Sequence, residues 1–132
     1  MKPGANRIAG LIAKAERDLR FAQTALDTFF PEHAARMGYM AVFHSALAAV
    51  RATTGTEPRT HNGVRTVFGE LAVKEPLLGA ELGGFLAKSY ESKNIADYET
   101  AYEVDRESAE IVLADAKTFV AKVKIYLQSK GS

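Results

Sequence analysis

The chain of 132 residues is 47% hydrophobic, which is enough for one domain over residues 1–132 with a core from about residue 6 to 128. Its 17 basic and 16 acidic residues give a formal charge of +1, so any basic binding site must be local. The absence of cysteine excludes disulfides and thiol catalysis. Without a signal-like or membrane-spanning stretch, the sequence predicts a cytoplasmic protein with no membrane partner.

The first half of the chain predicts two long amphipathic helices separated by a proline. Apolar residues recur at intervals of three and four from Ile8 to Phe29, and Asn6 can serve as the N-cap. Pro31 stops this helix and suits the first turn of a second helix, which runs to about Thr53. Alanine-rich spacing in the second helix allows neighbours to approach closely, so we expect it to be the central helix.

A loop and a short third helix follow. Residues 53–59 combine a glycine, a proline and β-branched residues, a composition typical of a loop. Thr60 can cap a helix that ends at residues 74–76.

Two further helices complete the chain. The fourth is predicted to begin near Pro76 or Gly79 and to run towards Ile95. The last is predicted to begin at Asp105 or Ser108. Because no segment alternates with the period of a strand, the fold class is all-α, an antiparallel helical bundle of four long helices plus one short helix.

Three segments in this order resemble the HEPN domain superfamily, particularly its small stand-alone prokaryotic members. Residues 38–50, GYMAVFHSALAAV, are similar to an aromatic-x-Ala-x-Phe-His-Ala-Ala helix. Residues 57–64, EPRTHNGV, followed by Phe68, are similar to Pro-Lys-Thr-His-x-Gly-Val and then Phe. Residues 93–98, KNIADY, resemble an Arg-x-x-Ala-Asp-Tyr ending. The similarity spans about residues 8–127 and implies the HEPN fold, but a shared fold does not transfer chemistry.

The motif that carries ribonuclease activity in HEPN proteins is altered in this chain. In active members an arginine holds the scissile phosphate, and a histidine four to six residues later moves a proton, with two copies facing each other across a homodimer. Here Lys93 stands for the arginine, Asn94 keeps a polar residue, and Tyr98 stands for the histidine. Lysine lacks the bidentate fork, and a phenol with a reference pKa of about 10 is a poor base at neutral pH. These changes favour binding over cleavage.

The same segment is the predicted nucleotide or phosphate site. Lys93, Asn94, Asp97, Tyr98 and Arg51 can line one groove if the second and fourth helices are neighbours. A structural interpretation stands beside each role. Lys93 can be a surface cation near a helix C-terminus, Asp97 a turn residue, and Tyr98 the side chain that holds that turn.

The three histidines differ in their expected roles. His61 is a catalytic candidate together with Lys93 and Tyr98, because it could reach a phosphate or simply order its loop. His44 lies among core-facing residues, which favours a hydrogen-bonded interior imidazole, and His33 shows no pattern. Their spacing does not fit a helical metal-ligand pair, and no glycine-rich phosphate loop is present, so we expect no metal and no cofactor.

Three functions remain open. The first is a non-enzymatic binding module for a nucleotide, RNA or a partner protein, and the rivals are a metal-independent endoribonuclease toxin and a purely structural helical subunit. The resemblance implies a minimal nucleotidyltransferase as the partner in a toxin–antitoxin pair, and it makes Tyr98 a candidate for nucleotidyl modification. We also expect a homodimer, because Phe85 and Tyr90 would be exposed on the fourth helix.

Overall fold

The computed structural model describes residues 4–98 and 104–130, without the side chains of Ile95, Ala96 and Tyr98. Over these ranges the chain forms helices and no strand, which confirms the predicted all-α class with four long helices and one short helix. None of the helices over these ranges is long and apolar enough to cross a membrane. The helices are α1 (Ala5–Asp27), α2 (Pro31–Thr54), α3 (His61–Lys74), α4 (Ala80–Tyr98) and α5 (Arg106–Ser129).

The link between α1 and α2 is a tight reversal that exposes two phenylalanines. The amide of Phe29 donates to the carbonyl of Leu26 (3.3 Å) and the amide of Phe30 to that of Ala25 (2.8 Å), the pattern of a Schellman motif. Phe29 holds a left-handed backbone with φ 68°, where glycine is preferred. Its ring is 81% exposed, so the expectation that it continues the apolar stripe of α1 is wrong. Pro31 then begins α2, as predicted.

Helix caps explain where α3 and α5 begin. The side chain of Thr60 accepts a hydrogen bond from the amide of Gly63 (2.9 Å), which confirms the predicted cap of α3. Asp105 caps α5 in the same way. The predicted cap of α1 is wrong, because Gly4 occupies that position in the left-handed conformation and Asn6 lies inside the helix.

Helix α2 is the centre of the bundle, as its alanine-rich sequence predicts, and it packs against all of the other helices. The small side chains let those neighbours approach its backbone closely. The residues of α2 with no exposed surface are Ala35, Tyr39, Ala41, Val42, Ser45, Ala46, Ala48, Ala49 and Val50. Across the core, Phe68 of α3 and Phe119 of α5 lie with their ring centroids 5.2 Å apart.

Helices α2 and α4 run in opposite directions, which fixes the place of the site described below. Arg36 at the start of α2 lies 3.6 Å from Asp97 at the end of α4. Helix α4 begins directly after Gly79, a glycine with a left-handed backbone. It crosses α3 where a Cβ on Gly83 would lie 3.2 Å from the Cα of Gly69, so the two backbones meet there. The start of α2 and the end of α4 therefore lie side by side. The start of α3 lies next to them, because His61 contacts Tyr39 of α2 and Tyr90 of α4.

Candidate functional site

His61, the first residue of α3, lies against aromatic rings of α2 and α4. Its ring stacks on Phe43 with the centroids 4.2 Å apart, and its Nδ1 is 2.7 Å from the hydroxyl oxygen of Tyr39. Tyr90 of α4 lies beside Tyr39 and His61, with its ring centroid 6.2 Å from that of the imidazole. Either the hydroxyl donates to Nδ1 or Nδ1–H donates to the hydroxyl, and Nε2 takes no part in this bond in either case.

Burial sets the charge state of this aromatic group. Burial raises the pKa of Tyr39 far above its usual value, so its hydroxyl keeps its proton at physiological pH. The pKa of His61 is lowered, first by burial and then by the positive charges of Lys93 and Arg65. His61 is therefore neutral at pH 7, and it is only partly exposed.

Two cationic side chains, Lys93 of α4 and Arg65 of α3, act on the imidazole, and a third, Arg36 of α2, joins Lys93 through Asp97. The guanidinium of Arg65 lies 4.2 Å from the ring centre of Tyr90. Its Nε is buried and has no hydrogen-bond partner within the described part of the chain. Arg36 and Lys93 both pair with Asp97, at 3.6 and 2.7 Å. Among the described residues, this group thus holds three basic side chains and one carboxylate.

We call this group the His61 cluster. It combines a neutral imidazole, aromatic rings, three cations and one carboxylate, all supplied by α2, α3 and α4. Its members are Arg36, Tyr39, Phe43, His61, Arg65, Tyr90, Lys93 and Asp97.

The structure brings together His61, Lys93 and Asp97 from the predicted site, but not Arg51. Arg51 lies on the same helix as Arg36 but about 22 Å further along it, at 1.5 Å per residue. There its guanidinium is 3.7 Å from Glu57. The expectation that Arg51 shares a groove with Lys93 is therefore wrong, since α2 presents its first turns, and not its last, to the end of α4.

The remaining members of the predicted site are placed as follows. Asn94 is half-buried on α4 beside Lys93. Tyr98 is the last residue of α4, and its side chain lies outside the described residues, so its catalytic and modification roles stay predictions. Phe85 and Tyr90, expected to be exposed, are both partly buried, and Phe85 packs against the core. The case for a dimer through these two rings is therefore weakened.

The other histidines lie outside the cluster. The Nδ1 of His44 is 2.7 Å from a carboxylate oxygen of Asp18, and both side chains are buried, which confirms the predicted interior imidazole. Burial lowers the pKa of His44, while the hydrogen bond that its imidazole donates to Asp18 opposes this effect. His33 is exposed near the start of α2. Over residues 4–98 and 104–130, no group of three or more histidine, aspartate or glutamate side chains could hold a metal ion.

Sequence reasoning missed two of the cations. Arg65 follows His61 by four residues on one helix, a spacing that places both on the same face and could have revealed it. Tyr90 precedes Lys93 by three residues and shares its face in the same way. Arg36 carried no comparable signal, because only the packing of α2 against α4 brings it to Asp97.

The fold and the cluster define an all-helical protein with a local cationic and aromatic site, and comparisons identify its family. The HEPN domain family model matches residues 8–126. The chain is 31% identical over 121 residues to "Putative toxin MJ0142" of Methanocaldococcus jannaschii, covering 92% of this chain and 82% of that relative. It is 33% identical over 117 residues to "Putative toxin MJ0605" of the same organism, covering 89% and 86%. The chain therefore belongs to the HEPN domain family.

Proposed function

We propose that the His61 cluster binds the phosphate groups of RNA or of a nucleotide, and that this chain is the HEPN half of a toxin–antitoxin pair. The observation that carries the first part is that Arg65 and Lys93 act on one partly exposed imidazole while Arg36 reaches Lys93 through the shared carboxylate of Asp97. Two relatives named as toxins support the second part. The resemblance to small HEPN proteins supports a minimal nucleotidyltransferase as the partner.

The chemistry of these side chains suits a phosphodiester. Guanidinium and ammonium groups donate charge-assisted hydrogen bonds to phosphate oxygens, and each such bond is stronger than a neutral one. A phosphate entering the cluster would compete with Asp97 for Lys93 and Arg36, which now share its carboxylate. The ring of Tyr90 lies under the guanidinium of Arg65 and holds this cation within the cluster.

A second candidate function, metal-independent RNA cleavage, is favoured by the position of His61 near Lys93. In the tautomer whose Nδ1–H donates to the Tyr39 hydroxyl, the neutral imidazole can accept a proton at Nε2 while the lysine holds the phosphate. The imidazole would then come from α3, and not from the position of Tyr98 where active relatives carry it. A homodimer that brings two such clusters face to face remains part of this proposal.

Binding of a labelled single-stranded RNA, followed by fluorescence anisotropy at several low salt concentrations, tests the proposal. Lys93→Ala should weaken binding about tenfold, the effect of one lost charge-assisted contact, and lower the salt dependence by about one phosphate contact. Lys88→Ala is the matched control, because it removes the same charge from an exposed position on the same helix. Equal effects of the two changes, or no binding by the parent chain, would exclude the site.

The same RNA incubated with a chelator separates binding from cleavage. We expect binding without cleavage if the altered motif has abolished catalysis. Cleavage that survives the chelator and is lost in both Lys93→Ala and His61→Ala would instead establish the ribonuclease. Light scattering of the same samples reports whether the chain is a dimer.

A further inference from the structure

A second site lies at the other end of α2 from the His61 cluster. There the first half of α1 and the last turns of α2 and α5 enclose an open groove with a volume of about 580 Å³. The groove is lined mainly by apolar side chains, including Ala52 of α2 and Leu127 of α5. None of the residues of the His61 cluster lines it. It is therefore a separate surface of the molecule.

The floor of this groove is one face of α1. The residues of this face recur at intervals of three and four, so they form a continuous stripe of about two turns. They are Ala5, Ile8, Ala9, Ile12 and Ala13. Isoleucines that are half-buried alternate there with alanines that are mostly exposed, which produces ridges with gaps between them. Such a surface accepts the side-chain ridges of another helix.

The rim of the groove is positively charged. Arg51, Lys124 and Lys130 line it, and Glu16 is the acidic residue among the lining side chains. Glu16 is held by Lys124, whose ammonium lies 3.2 Å from its carboxylate. Among the described lining residues, basic side chains therefore outnumber acidic ones.

A neighbouring carboxylate does not reverse this balance. Glu57, which lies beside Arg51 at 3.7 Å, forms a closer, bidentate pair with Arg7 at 2.7 and 2.9 Å. Including Glu57 in the count therefore also includes Arg7, and the two charges cancel. A second copy of this chain would present the same positive rim, so a symmetric pairing through the groove would place like charges opposite each other.

We propose that this groove is the docking site for an amphipathic helix of a different protein, one that carries acidic residues beside its apolar face. The apolar stripe would take hydrophobic side chains spaced at three and four residues along that helix. Lys124, Lys130 and Arg51 would take the flanking carboxylates. Nucleic acid is a poorer occupant, because the floor of the groove is apolar. A second copy of this chain is also a poorer occupant, because its basic rim would face the basic rim of the first.

Selection from a displayed library of helices tests this proposal with the full chain. Each library member would have about 18 residues, leucines fixed along one face, and Glu, Gln or Lys at the flanking positions. We expect the chain to enrich Glu-flanked members. A synthetic peptide of the enriched sequence should bind at least about tenfold more tightly than the same peptide with Lys in place of Glu. Enrichment of Lys-flanked members, or no enrichment, overturns the proposal.

Two alanine substitutions locate the binding. Ala9→Glu places a carboxylate on the floor of the groove and should weaken the selected peptide at least about tenfold. Ala87→Glu introduces the same change at an exposed position of α4 and should leave binding within about twofold. Equal loss in the two variants would show that the peptide binds elsewhere and would overturn the site.

Two further readouts keep the outcome distinct from that of the proposed function. Circular dichroism of both variants should show unchanged helicity, because both positions are exposed. The Ala9→Glu variant should bind RNA as the parent chain does, since Ala9 lines the groove and does not belong to the His61 cluster. If the parent chain is a dimer that Ala9→Glu converts to a monomer, the groove is occupied by a second copy and the proposal is wrong.

Discussion

Replacing Phe29 with glycine should relieve strain that the fold stores at the end of α1. Phe29 has φ 68° and a ring that is 81% exposed, so its side chain gains little burial in return for the left-handed backbone. Phe30, the next residue, is 63% exposed and has φ −119°, which any residue can adopt. The two phenylalanines therefore form a matched pair in which only one position is strained.

The expected magnitude follows from the difference between the two substitutions. A left-handed backbone costs a non-glycine residue about 1–2 kcal/mol. Glycine also gains freedom in the unfolded chain, which destabilises the fold by about 0.5–1 kcal/mol, but this effect is common to both positions. Phe29→Gly additionally loses an exposed contact with the guanidinium of Arg106, 6.0 Å away and worth about 0.5 kcal/mol. Phe29→Gly should therefore exceed Phe30→Gly by about 1 kcal/mol in the free energy of unfolding.

Urea denaturation followed by circular dichroism measures this difference directly. Both variants should show the same dependence of the free energy of unfolding on urea as the parent chain, so their midpoints can be compared. If Phe29→Gly proves no more stable than Phe30→Gly, the left-handed backbone carries no cost and the reasoning fails.

Two further predictions concern the histidines and a helix cap. Burial lowers the pKa of His44 and His61 in the folded state, so stability should be complete above about pH 6.5 and fall as the pH drops through that value, where the unfolded chain binds more protons. In urea titrations at several pH values, the free energy of unfolding of His61→Gln should fall less between neutral and acid pH than that of the parent chain. An equal fall would contradict the contribution of His61 to the pH dependence. Thr60→Ala should cost about 1 kcal/mol by removing the cap of α3, whereas Thr66→Ala, exposed within that helix, should cost less in the same assay.

The parts of the fold that the sequence predicted correctly are those decided by local backbone chemistry. Pro31 and Thr60 mark helix starts because a missing amide and a side-chain acceptor act within one turn. Phe29 was placed wrongly, because an apolar residue that continues a helical period gives no sign that the chain reverses before it. The start of α1 was missed for a similar reason, since Gly4 replaces a side-chain cap.

The site was predicted in pieces and not as a whole. Lys93, Asp97 and His61 were each identified as candidates, but helical periodicity gives the face of a residue and not the neighbour that the face meets. That limit explains why Arg51 was placed in the groove with Lys93 although it lies at the other end of α2. The groove was predicted on the condition that α2 and α4 are neighbours, which they are, whereas the contact of Arg36 with Asp97 follows only from how the two helices pack.

The point where α3 and α4 cross most closely lies far along α4 from the His61 cluster, so a small change of the crossing angle there would move the cluster end of α4. Gly83 rests on the backbone of Gly69, and Lys93 lies about 15 Å further along the same helix, at 1.5 Å per residue. A tilt of about four degrees at this crossing would swing Lys93 by about 1 Å, which is a large error for a group that must meet a phosphate. The absence of side chains at Gly69 and Gly83 thus helps to determine the position of Lys93, about three helical turns away.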